Sequence, residues 1–173
     1  MMIGDPATFA VESEFTEAYK ELSLRALGFF VIHIQGRSYG VKSPDATLLA
    51  NSFDEVCRRI SGRGLHLADR VAASEAGEIA EKIYRALYVE HDDSEDFFGM
   101  NASSLSEKIH SAHLLWAPDG DQAFDDGSFI LQFDAKNQVR LIAFTVRENF
   151  IIDPESLQEI WLGADDFYGM LQD

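Results

Sequence analysis

The chain has 173 residues, 46% hydrophobic and 12% aromatic, which suffices for the core of one domain and excludes disorder as the default state. Fourteen Lys and Arg stand against 30 Asp and Glu, and the net charge of −16 repels nucleic acid and anionic lipid while attracting basic proteins. The one cysteine, Cys57, excludes an internal disulfide framework, and no apolar run approaches the roughly 20 residues of a membrane-spanning helix.

The N-terminus, Met1-Met2-Ile3-Gly4-Asp5-Pro6, has neither the basic nor the apolar region of a secretory signal, so a cytoplasmic protein is expected. Phe9, Val11, Ser13 and Phe15 alternate with Ala10, Glu12 and Glu14, the period of a half-buried strand. Leu27 to Ile34 is apolar on both faces and rich in Phe, Val and Ile, which predicts a central strand. Gln35-Gly36 then turns the chain into a short strand around Tyr39 and Val41. Ser43-Pro44 carries the cap-then-proline signature of a helix start, and Leu49, Phe53, Val56 and Ile60 recur at helical spacing up to Gly62 and Gly64. Cys57 falls within this segment and reads as a small buried hydrophobe.

A second helix is predicted over Ser74 to Val89, with Ile79, Ile83 and Leu87 on one face. An acidic stretch follows, then a helical turn over Leu105 to His110 and a short apolar run from His113 to Trp116. After a loop over Pro118 to Gly127 comes the clearest hairpin, Ser128 to Asp134 and Val139 to Val146 about a turn at Ala135-Lys136-Asn137. Asp153-Pro154-Glu155 repeats the helix-start signature ahead of an apolar stripe from Leu157 to Leu171, which Gly163 divides into two short helices. Hairpins supply the strand connections and no strict βαβ alternation occurs. The expected architecture is α+β, one domain over residues 1–173, a mostly antiparallel sheet built from hairpins and covered by helices.

The charge is unevenly placed. Residues 1–85 hold 12 acids and 10 bases, whereas residues 86–135 hold 11 acids and one base, Lys108. The acids of that middle segment form two clusters, Asp92, Asp93, Glu95 and Asp96, and Asp119, Asp121, Asp125 and Asp126. Such runs are often solvated faces. Crowded acids also repel one another, and a basic partner relieves that cost while associating faster.

Enzymatic patterns are weaker. Asp119 with Asp134-Ala135-Lys136 meets a loose metal-dependent nuclease pattern, but Lys136 falls in a turn and the net charge opposes a nucleic-acid substrate. Asp119-Gly120-Asp121 fails as a calcium loop, because Ala123 and Ile130 occupy its fifth and twelfth positions. His110 and His113 have metal-pair spacing without a third ligand, His33 reads as a satisfied strand residue, and His66 has no evident partner. No phosphate loop, nucleophile elbow or dinucleotide fingerprint is present. No catalytic residue, cofactor or metal ligand is therefore assigned.

Three stretches, in order, resemble the immunity protein 42 family of bacterial polymorphic toxin systems. They are Ile3-Gly4-Asp5-Pro6 with Phe9-Ala10; Phe124-Asp125-Asp126-Gly127-Ser128-Phe129 with Gln132-Phe133-Asp134 and Val139 to Phe144; and Asp165-Asp166-Phe167-Tyr168. The resemblance implies a protein that binds a cognate toxin domain and blocks it. It supplies no catalytic residue and no mapped contact. Charge adds the expectation of a basic, nuclease-type toxin contacted by the eight clustered acids, with no nucleic-acid or membrane partner. The competing readings are a metal-dependent hydrolase using Asp119 and Asp134, and a general acidic adaptor or nucleic-acid mimic. Selective binding of one partner separates the family reading from the adaptor.

Overall fold

A computed structural model describes residues 1–18, 26–90, 92, 95–118, 120–147 and 151–173. Two antiparallel sheets and a helical layer stack through two hydrophobic cores. The first sheet runs β1 (Met2–Asp5), β2 (Phe9–Glu17), β3 (Leu27–Ile34), β4 (Arg37–Tyr39), and β5 (Thr47–Leu48) joins it alongside β3. The second runs β6 (Leu115–Ala117), β7 (Ser128–Ala135), β8 (Gln138–Thr145), β9 (Gln158–Gly163). The helices are α1 (Leu49–Ser61), α2 (Asp69–Ala72), α3 (Ala76–Tyr88), α4 (Ala102–Ser111) and α5 (Ala164–Met170).

Side-chain alternation explains the layering. On β7 and β8, Ile130, Val139, Leu141 and Ala143 face the first sheet, in a core that includes Phe9, Phe30, Ile32 and Trp116 and is closed by α1 and α5. Phe129, Leu131, Phe133, Ile142 and Phe144 face the opposite way, toward α3 and α4. Both faces of this hairpin are buried, so its sequence is apolar throughout rather than alternating. Phe129 and Phe144 sit directly opposite each other and stack at 5.0 Å with 7° between ring planes.

The turns behave as their chemistry requires. Gln35 and Gly36 both take positive φ, 50° and 80°, the geometry of a two-residue hairpin between β3 and β4. Gly127 enters β7 at φ 81°, and a Cβ there would lie 2.4 Å from the Val146 carbonyl oxygen. That position therefore needs glycine on both conformational and steric grounds.

The structure differs from the sequence reading in several places. Ser43-Pro44 does not start a helix: the Ser43 hydroxyl donates to Asp45, a turn closes, and Thr47-Leu48 pairs with β3 before α1 begins at Leu49. Leu49 N–H donates to the carbonyl of Ala26, the residue before β3, which satisfies one of the helix's first N–H groups where no side chain caps it. Cys57 is exposed, because the buried face of α1 is rotated toward Ser52, Glu55, Val56 and Arg59. Finally, Asp153-Pro154 opens only a single 3-10 turn, Pro154–Ser156, and Gln158–Gly163 is strand β9 along the edge of β8. Edge pairing overrode a helical spacing that Ile160, Trp161 and Leu162 also satisfy as β-favouring residues. The strand β1, paired to β2 from Met2↔Glu12 to Asp5↔Phe9, had no signal of its own.

Candidate functional site

The two acidic clusters occupy different environments. In the second, Asp121 is largely consumed by the fold. One carboxylate oxygen accepts from the Thr47 hydroxyl at 2.6 Å and the Ala123 N–H at 3.0 Å, and the other from the Ser52 hydroxyl. It caps the 3-10 turn Gln122–Phe124 and ties that turn to β5 and α1. Asp126 accepts from Ser128 N–H at 3.0 Å and Gly40 N–H at 3.1 Å, which binds the entrance of β7 to the end of β4. Gly40 takes φ 113°, with an added Cβ 2.9 Å from the Phe30 carbonyl oxygen, so the backbones meet closely there. Asp125 is exposed; Asp119 lies outside the described residues.

In the first cluster, Asp92 and Asp96 are exposed and Asp93 lies outside the described residues. Glu95 accepts from the Arg85 guanidinium with both oxygens, each at 2.8 Å, which pins the cluster to the last turn of α3. Asp96 accepts from Gly99 N–H at 3.3 Å, beside the buried Phe97. The structure thus brings Glu95 and Asp96 to the C-terminal end of α3, and Asp121 and Asp126 to the seam between the sheets.

Buried polar networks account for much of the rest. Asp134 is 6% exposed and accepts from Gly64 N–H at 2.6 Å, from the Tyr168 hydroxyl at 2.8 Å and from Gln132 Nε2 at 3.3 Å. Gln132 Nε2 also donates to the Tyr168 oxygen at 2.8 Å. Burial, reinforced by the Asp134 carboxylate, pushes the Tyr168 hydroxyl far above its ordinary range. These donors surround Asp134, which leaves little acceptor capacity for a metal, and among the described residues no three metal-type ligands converge. His66 joins this network through its backbone, while Nδ1 lies 3.1 and 3.0 Å from the Ala112 and His113 carbonyl oxygens and therefore carries the proton. Burial, then the Arg59 charge, lowers the His66 pKa. The stretches Gln132–Asp134 and Asp165–Tyr168 had stood out in the sequence, and here they meet; His66 had no sequence signal that could pair it with them.

Two further charges are buried and matched. Arg59, 1% exposed, donates Nε to Glu55 at 2.6 Å and its terminal nitrogens to the His113 and Leu115 carbonyls. Arg140 donates to Glu159 across to β9 at 2.9 Å and to the Ala72 and Ser74 carbonyls at 2.8 Å. His33 is satisfied as expected, between Glu12 at 2.9 Å and the Ser38 hydroxyl at 3.0 Å. The Lys42 ammonium, 2.6 Å from Glu12, holds that carboxyl below its ordinary value. No helix among the described residues is long and apolar enough to cross a membrane.

Comparison with known families matches the immunity protein 42 family over residues 1–173. Among solved structures, CdiI from Burkholderia dolosa AUO158 superposes with a TM-score of 0.65 at 16% identity, over 100% of this chain and 97% of that one. At that identity the likeness concerns the fold. No curated protein sequence matches.

Proposed function

Because the chain belongs to the immunity protein 42 family, we propose that it is a stoichiometric inhibitor that binds and neutralises one cognate toxin domain in the cytoplasm. The whole-chain family match is the observation that carries this reading. The toxin is proposed to be basic and of nuclease type, from the net charge of −16. An acidic surface covers such an active site without any chemistry of its own and speeds encounter.

The eight clustered acids are the proposed contact surface, with roles divided by their surroundings. Asp92, Asp96 and Asp125 are exposed and suited to direct contact. Glu95, Asp121 and Asp126 also hold the loops that present them. Asp93 and Asp119 enter on their sequence position alone.

Titration calorimetry with a cognate toxin domain, to be sought in the reading frame next to this one, tests the proposal. The expected result is a one-to-one complex that weakens as salt rises, with no comparable binding to an unrelated basic protein such as lysozyme. Equal, salt-sensitive binding to both would favour an acidic adaptor instead.

A further inference from the structure

A groove of about 610 Å³ runs between α3 and the segment from Ile151 to Leu157. Gly77, Tyr84 and Val89 form one wall; Ile151, Pro154 and Leu157 form the other. Ile151 is 61% exposed, as is about half of the neighbouring Tyr88, so apolar surface faces solvent here. The floor is firm: Tyr84 packs edge-on against Phe129 at 5.5 Å, at the boundary of the helical core.

The rim is acidic. Glu81 and Arg85 line the groove, and Arg85 is engaged by Glu95. Nearby, Lys82 pairs with Glu78 and Arg147 with Asp153, at 2.9 Å each, and the Arg37 guanidinium donates to the Glu155 carbonyl. Glu81 on the rim is exposed, as is Glu155 beside Pro154, and both add negative charge next to an apolar centre. An apolar pocket inside a charged ring is the arrangement of an interface hot spot. It fits an aliphatic side chain flanked by lysine or arginine.

We propose that this groove is the principal seat of the basic toxin domain, which inserts an aliphatic side chain between α3 and Ile151–Leu157 while its cations meet the acidic rim. This rests on the immunity reading and extends it by choosing a face: the first acidic cluster borders the groove through the Arg85–Glu95 pair, whereas Asp121 and Asp126 of the second are bonded at the seam between the sheets.

Gly77 offers a clean test. A Cβ there meets only Leu157 Cδ2, at 3.8 Å, and the residue is exposed on a helix, so Gly77→Leu fills the groove without disturbing the fold. Titration of the cognate toxin domain should show at least tenfold weaker binding for Gly77→Leu and for Ile151→Asp. Glu81→Lys should slow association at low salt. Thermal melts verify that each variant is folded. On toxin binding, hydrogen exchange should slow in residues 76–88 and 151–157. If the wild type binds and folded Gly77→Leu and Ile151→Asp bind equally well, the groove is not the seat, while the immunity reading stands. If the wild type does not bind, the immunity reading itself fails. Full protection of 151–157 in the free protein, or a free dimer that Ile151→Asp dissociates, would assign the groove to the chain itself and overturn the proposal.

Discussion

At the residue scale, an acid's value depends on which donors it already holds. Asp121 accepts from Thr47, Ser52 and Ala123, so Asp121→Ala strands those donors at a seam between elements. The expected loss is about 1–3 kcal/mol of stability, read by urea denaturation. Asp96→Lys, on an exposed side chain, is expected to change stability by less than about 1 kcal/mol and to slow association with the toxin domain. Sequence marked both as members of acidic clusters. It could not distinguish them, because the hydroxyls that claim Asp121 lie 74 and 69 positions away.

His66 makes a second case. Its pKa is depressed in the fold, so the unfolded chain binds the extra proton first. Stability is therefore full above about pH 6.5 and falls as pH drops through the window between the unfolded and folded values. His66→Asn keeps a donor toward the Ala112 and His113 carbonyls and removes the titration. In chemical denaturation at pH 7.5 and 5.5, the wild type should lose more stability than this variant over that interval. Equal losses would place the acid sensitivity elsewhere. Glu12, held low by Lys42, contributes stability that is lost only as pH falls below about 4.5.

At the scale of elements, hairpins were legible and edges were not. The β7–β8 hairpin and the Gln35-Gly36 turn declare themselves because their strands and turns are local in sequence. β9 was missed because its partner is β8, and its apolar spacing suits a helix as well as a strand. β1 was missed because four residues carry no periodicity of their own and pair with β2. Gly28 shows how closely strands can approach. A Cβ there would lie 1.9 Å from the Glu14 carbonyl oxygen, near the irregular register between Phe15 and Glu17. Gly28→Ala should therefore cost at least about 1–3 kcal/mol, visible as a lowered Tm. Gly77→Ala, on the exposed face of α3, should instead stabilise by up to about 1 kcal/mol.

At the scale of the whole molecule, the expected α+β class and antiparallel pairing hold. The arrangement is two sheets with helices on the far side of the second, rather than one sheet under a helical cover. The stretches that resembled the family in sequence turn out to build this frame: Asp126, Gln132, Asp134 and Tyr168 bond to other parts of the chain. Family membership was thus readable from residues that hold the fold, and the proposed binding face was not, because a groove exists only once α3 and Ile151–Leu157 are brought together. Charge offered the sequence clue to it, and two of the eight clustered acids, Asp121 and Asp126, also serve the seam.

The most direct measurement is growth of cells that express the cognate toxin domain, with and without this chain. Neutralisation by stoichiometric binding predicts that wild-type protein restores growth and that Gly77→Leu, folded and equally abundant, restores it less. Failure of the wild-type protein to protect, at an abundance equal to or above that of the toxin domain, would contradict it.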